Sequence, residues 1–244
     1  MFNNLYNLTS QTEGFTTMTG TARPGGHHIV LVTGFGPFGK HLDNPSGDLA
    51  RRLDGATVAG ATVVGRIFET STDTIGANLA GALDELAPDL LICLGIAPGR
   101  PALSLERIAI NVRDFPLPDH SGVTVADEPV VTGGPDGVFS RLPLASILRR
   151  WRKDDVPCHV SNTAGTYLCN QLFYLACRQG RDRGIPAGFI HIPDTPRSAA
   201  VAEPGREPGA TMSLDVMVAA LLSAIEVCLE ERGDQVALTA GAVA

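Results

Sequence analysis

Aromatic residues are scarce in this chain, at 5% of 244 residues with a single tryptophan. A core must therefore be packed mainly from Ala, Val, Leu and Ile. The five cysteines, Cys93, Cys158, Cys169, Cys177 and Cys228, are too few for a disulfide scaffold, and their spacings match no zinc pattern. Such usage is expected of a reduced, cytoplasmic protein. The opening segment "MFNNLYNLTSQTEGFTTMTG" has no basic start followed by an apolar run, so no secretory signal is expected. No apolar run is long enough to span a bilayer. A basic stripe is missing too. The formal net charge is −7, and the cluster Arg149, Arg150, Arg152 and Lys153 reads as the last turn of a helix, where cations complement the dipole. Neither nucleic acid nor membrane is expected as a partner.

What is present suits a globular chain: 44% of residues are hydrophobic. Residues 1–26 are polar and read as a loose N-terminal arm, 27–234 as the folded unit, and 235–244 as a flexible tail. Short apolar runs read as strands: "HHIVLVT", "TVAGATVVGRIF", "DLLICLG", "ERIAINVRD", "PCHVSN" and "AGFIHIP". Helices are expected over Asp48–Leu53, from about Ser71 through Leu86, over roughly 143–153, from the Cys169 segment onward, and in "SLDVMVAALLSAIEVCLEERG", ended by Gly233. Residues 114–142, rich in Pro, Gly and Asp, read as excursions or a short hairpin. Apolar strands alternating with helices predict an α/β fold: one three-layer α/β/α unit around a twisted, mostly parallel mixed sheet. Ligands of such sheets gather beyond the carboxyl ends of the strands.

Chemistry-bearing residues can be sorted by that rule. Cys169, in "SNTAGTYLCNQL", falls near a helix start, where unpaired N–H groups and the dipole favour a thiolate. The alternative for Cys169 is a small core residue on the stripe Cys169, Leu172, Phe173, Ala176 and Cys177. Of the histidines, His27 and His28 precede a strand, His41 and His120 lie in loops, and His159 is inside a strand. His191 ends "GFIHIP" at a carboxyl rim, although a satisfied core histidine has the same pattern. Glu106, among apolar neighbours in "PALSLERIAIN", needs a partner. It could form a structural ion pair with an arginine or orient an imidazole. A thiol, an imidazole and a carboxylate together are the requirements of a cysteine hydrolase.

"TGFGPFGKHLDNPS", "ERIAIN" and "SNTAGTYLCN" followed by "IHIP" resemble, in order, the motifs of the pyroglutamyl peptidase I (pyrrolidone-carboxylate peptidase) family. The resemblance runs from about residue 29 to about 230. It implies an enzyme that removes N-terminal pyroglutamyl residues from peptides without cofactor or metal, assembled as a homo-oligomer, a dimer or tetramer. It implies Cys169 as nucleophile, His191 as base and acid, and Glu106 as the group that orients His191. It also implies a pyrrolidone pocket formed by Phe35 and Phe38, the Asn44 backbone carbonyl as acceptor for the lactam N–H, and Tyr167 and Leu168 as further lining.

Two positions depart from the family pattern. Ile96, in "LGIAPGR", stands where relatives carry a glutamine that donates to the lactam carbonyl, and Pro98 follows in place of a glycine. Pro116 stands where an arginine is frequent. These departures keep two alternatives open: a cysteine hydrolase of altered N-terminal or cyclic-amide specificity, and a non-catalytic binding protein on the same scaffold.

Overall fold

Val30–Val32 and Leu90–Leu94 are apolar at every position, and both runs are strands covered on both faces. They form the centre of the computed structural model, which describes residues 28–38, 43–200 and 209–231. The expected N-terminal arm and C-terminal tail lie outside the described residues, as do His27 and His41. In chain order the elements are β1 (His28–Phe35), α1 (Pro45–Leu53), β2 (Thr57–Val58), β3 (Ala61–Phe68), α2 (Ile75–Leu86), β4 (Leu90–Ile96), β5 (Leu103–Glu106), β6 (Ile108–Ile110), β7 (Gly137–Phe139), α3 (Leu144–Lys153), β8 (Cys158–Ser161), α4 (Leu168–Asp182), β9 (Ala187–Ile192), α5 (Pro196–Ala200) and α6 (Leu214–Glu230).

The main sheet has seven strands in the order β2-β3-β1-β4-β9-β5-β8. Strands β3, β1, β4 and β9 run parallel, whereas β5 is antiparallel to β9 and parallel to β8. One apolar cluster joins the sheet to α1, α3 and α6, and a second joins its other face to α2 and α4. This is the expected three-layer arrangement with a mixed sheet. The run "ERIAINVRD", expected as one strand, is divided at Arg107. Glu106 ends β5 in the main sheet, and Ile108 begins β6, which pairs with β7 in a separate two-stranded ribbon. Because β5 runs against β9, Glu106 lies opposite Phe189, within the sheet, while Ser104 lies opposite His191.

Local chemistry sets the helix ends. The Asn44 side chain accepts from the Ser46 amide (3.1 Å) and Pro45 occupies the first turn, so α1 starts three residues earlier than its apolar positions suggest. Helix α2 closes on Ala87, at φ +41°, just before Pro88. The basic last turn of α3 is anchored by Arg150, which pairs with Asp154 (2.9 Å) and with Glu226 of α6 (2.9 Å).

The lone tryptophan joins two helices. Trp151 is fully buried in α3 and its indole N–H donates to the Ala220 carbonyl of α6 at 2.7 Å. Trp151→Phe removes that hydrogen bond and leaves a void beside α6, so we expect a loss of about 2 kcal/mol. Urea unfolding followed by circular dichroism should show a lower midpoint with an unchanged slope; an unchanged midpoint would mean that the α3–α6 contact tolerates the smaller ring.

Candidate active site

Helix α4 begins after Tyr167, which is extended (φ −89°, ψ −165°) and makes no side-chain cap. Gly165, at φ +77°, turns the chain into it. Cys169 therefore sits in the first turn with the unpaired amides of the helix start around it. Its sulfur rests on the sheet at Gly95. A Cβ built at Gly95 would stand 2.8 Å from Cys169 Sγ and 2.7 Å from Phe189 Cζ. Only a residue without a side chain leaves the sulfur that place.

Gly95 is the parallel register partner of His191, so His191 stands on the neighbouring strand, about 4.8 Å away between strands, and faces the same side. The imidazole is 4% exposed and meets the Phe189 ring edge-on at 4.9 Å. Its Nδ1 lies 2.8 Å from Glu106 Oε1. Glu106 reaches it diagonally across the β5–β9 pair. A carboxylate only accepts, so Nδ1 carries the proton and Nε2 is the basic nitrogen. Glu106 is fully enclosed (0% exposed). Oε1 also accepts from Arg100 Nη1 at 3.0 Å, and Oε2 is buried with no hydrogen-bond partner among the described residues.

Burial and Arg100 act on the thiol in opposite directions. Burial pushes the Cys169 thiol up to about 12, and the charge of Glu106 adds to this; Arg100 and the residue's own amide oppose it. Burial also lowers His191 below its ordinary value, with Arg100 acting in the same direction and Glu106 against it. The amide at the helix start does favour the thiolate, as expected, and burial opposes it. A neutral thiol beside a neutral imidazole can act as nucleophile and base once a carbonyl is in place.

The other expected site residues are placed as follows. Phe35 is 3% exposed and belongs to the apolar cluster beneath α2 and α4, as does Leu168. Phe38 is half-buried and tilts against Tyr167 at 5.8 Å between ring centres; Tyr167 in turn meets Phe115 edge-on at 4.7 Å. The Tyr167 hydroxyl donates to the Pro118 carbonyl (3.2 Å), which ties this aromatic group to the loop that contains Pro116. That loop is fastened by buried Asp119, which accepts from the amides of Thr72, Ser121 and Val123. The Asn44 carbonyl already accepts from the Gly47 and Asp48 amides, and its side chain donates to the Gly36 carbonyl, so it fixes the loop after β1 to α1. Ile96 ends β4 opposite Ile192. The pleat therefore sets it on the face away from Gly95 and His191.

Glu106, His191 and Cys169 are thus gathered on one face, with Phe38 and Tyr167 joined to them through the start of α4. Gly95, Arg100 and Phe115 were not singled out by sequence reasoning. The first two lie within the quoted "LGIAPGR", where the close approach of a sulfur to a strand glycine carries no local signal. Among the described residues no group of His, Cys, Asp and Glu could hold a metal ion.

A family model described as pyroglutamyl peptidase matches residues 28–231. A pyrrolidone-carboxylate peptidase of Vibrio campbellii is 41% identical over 215 residues, which cover 88% of this chain and 98% of that protein. The pyrrolidone-carboxylate peptidase of Pyrococcus furiosus is 39% identical over 204 residues, or 83% of this chain and 98% of the relative. The solved structure of a mutant pyrrolidone carboxyl peptidase from P. furiosus superposes with a TM-score of 0.81 at 38% identity, covering 83% of this chain and 99% of that one.

Proposed function

Because this chain belongs to the pyroglutamyl peptidase family and is a cysteine peptidase, we propose that it hydrolyses the amide bond after an N-terminal pyroglutamyl residue, using Cys169, His191 and Glu106. The observation that carries this reading is the 2.8 Å Glu106–His191 bond on the strand next to the glycine under Cys169 Sγ. As Sγ attacks the pyroglutamyl carbonyl, a C–S bond forms and His191 takes the thiol proton. Glu106 stabilises the imidazolium that results. Amides at the start of α4 are suitably placed to receive the developing oxyanion. Collapse breaks the C–N bond, and His191 returns the proton to the departing amine. Water then hydrolyses the thioester with His191 as base, which releases pyroglutamate and the free thiol.

The half-buried group of Phe38 and Tyr167 offers aromatic faces for a small flat lactam. Phe35 and Leu168 support it from beneath, and Asn44 holds the loop that carries Phe38. No cofactor enters this mechanism. A reduced, cytoplasmic setting is consistent with five free cysteines. No helix among the described residues is long and apolar enough to cross a membrane. Exposed Leu117 (61%) and Phe139 (57%) are apolar surface suited to contact between copies in a homo-oligomer.

A panel of N-terminal arylamides tests the reading. We expect kcat/KM on the pyroglutamyl compound to exceed that on the prolyl compound by at least about 100-fold, since a site built around a lactam penalises a ring with a charged amine and no carbonyl. Equal or inverted values would overturn the assignment to pyroglutamate.

A further inference from the structure

Both hydrogen bonds to the buried Glu106 carboxylate fall on one oxygen: His191 Nδ1 at 2.8 Å and Arg100 Nη1 at 3.0 Å share Oε1. The arginine reaches this point from the rim, where its side chain is 34% exposed while that of Glu106 is at 0%. Its position is built into the chain. Ala97, Pro98, Gly99 and Arg100 form a turn closed by the Arg100 amide donating to the Ala97 carbonyl at 3.1 Å, with Gly99 at φ +83°. Pro at the second position and a glycine of positive φ at the third define a type II turn. Pro98, a departure from the family pattern, therefore suits this turn and stiffens it. The Ala97 amide donates to the Ile192 carbonyl at 2.9 Å, which fastens the turn to the residue after His191.

We propose that Arg100 is a positioning residue for the reaction: it holds Glu106 Oε1 against His191 Nδ1 and offsets the carboxylate charge, so that His191 begins each cycle as a neutral base. The inference rests on the function proposed above. A buried carboxylate with one neutral partner would draw a proton onto the imidazole and leave it unable to accept from sulfur. The guanidinium opposes that pull at His191 and also favours the anionic form of Cys169. Among the described residues, the charged and titratable groups gathered about His191 on its side of the sheet are Glu106 from β5, Arg100 from the turn and Cys169 from α4; β4 presents Gly95 there.

The test is the acid limb of kcat/KM against pH on a pyroglutamyl arylamide. In the wild type this limb should lie below 6.5, because His191 is lowered from that value. In Arg100→Gln the limb should move up by about 0.5–1 pH unit, and kcat near pH 6 should fall about fivefold with KM little changed. In a Glu106→Gln background the same substitution should move the limb by less than half as much, because no carboxylate charge remains to offset and only the direct effect of the guanidinium on the imidazole is left. Arg100→Lys keeps the charge and should retain the wild-type limb with less than about a threefold loss of kcat. An unmoved limb in Arg100→Gln, or a shift of full size in the Glu106→Gln background, would overturn the inference. Should Arg100→Gln fail to fold, a loss of about tenfold or more in Arg100→Lys would overturn it as well. None of these failures touches the proposed function, which falls instead if the Cys169→Ala protein keeps its activity.

Discussion

Cys169→Ala is expected to lower kcat/KM on a pyroglutamyl arylamide by about 10⁴-fold or more while the protein remains folded. The substitution removes one atom from the first turn of α4 and leaves the packing of Phe189 over Gly95 in place. Stability should therefore change by no more than about 1 kcal/mol. What is lost is the only atom that can form the thioester, and no other thiol can take over. Cys93 and Cys177 are buried in the core, and burial pushes both upward, Cys93 to about 12. Cys228 belongs to the apolar cluster on the opposite face of the sheet, and half-buried Cys158 packs against that same cluster. Steady-state rates of the two proteins, alongside their melting curves, decide the matter: a folded alanine variant with turnover within tenfold of wild type would eliminate acyl transfer through Cys169.

The second large effect concerns Glu106. Glu106→Gln should reduce kcat by about 10²–10⁴-fold with a much smaller change in KM. The geometry separates charge from hydrogen bonding unusually well. Both donors to Glu106 use Oε1, and Oε2 has no partner among the described residues. A glutamine can set its carbonyl oxygen at the Oε1 position and its amide nitrogen at the other, so both bonds persist without the charge. The variant then lacks the negative partner for the imidazolium that forms as sulfur attacks. Glu106→Ala would also leave Arg100 and His191 without their acceptor, and its loss of stability would confound its loss of rate. Single-turnover kinetics of the glutamine variant give the cleaner answer, and an acylation rate within threefold of wild type would show that Glu106 only fills space.

Much of the fold could be read in advance because its signals are local. Apolar runs such as "DLLICLG" have no polar face to give to water and so become central strands. The stripe Ile75, Leu79 and Leu83 repeats with helical spacing and packs α2 on the sheet. The split at Arg107 was missed because both halves of "ERIAINVRD" are strand-like, and nothing local tells one sheet from another. The reversed direction of β5 was missed for a related reason: pairing partners are distant in sequence, and direction depends on the path between them.

The amino-acid sequence alone determined most of the strands and helices, the candidate thiol, imidazole and carboxylate, and the family motifs around them. These depend on residue type and short spacings, which the chain carries wherever it goes. Only the tertiary structure decided that Glu106 meets His191 across an antiparallel pair, that Gly95 is the floor beneath the sulfur, and that Arg100 shares the carboxylate oxygen. It also set burial of Cys169 against the helix-start amide that favours its thiolate, because burial exists only once the layers have closed.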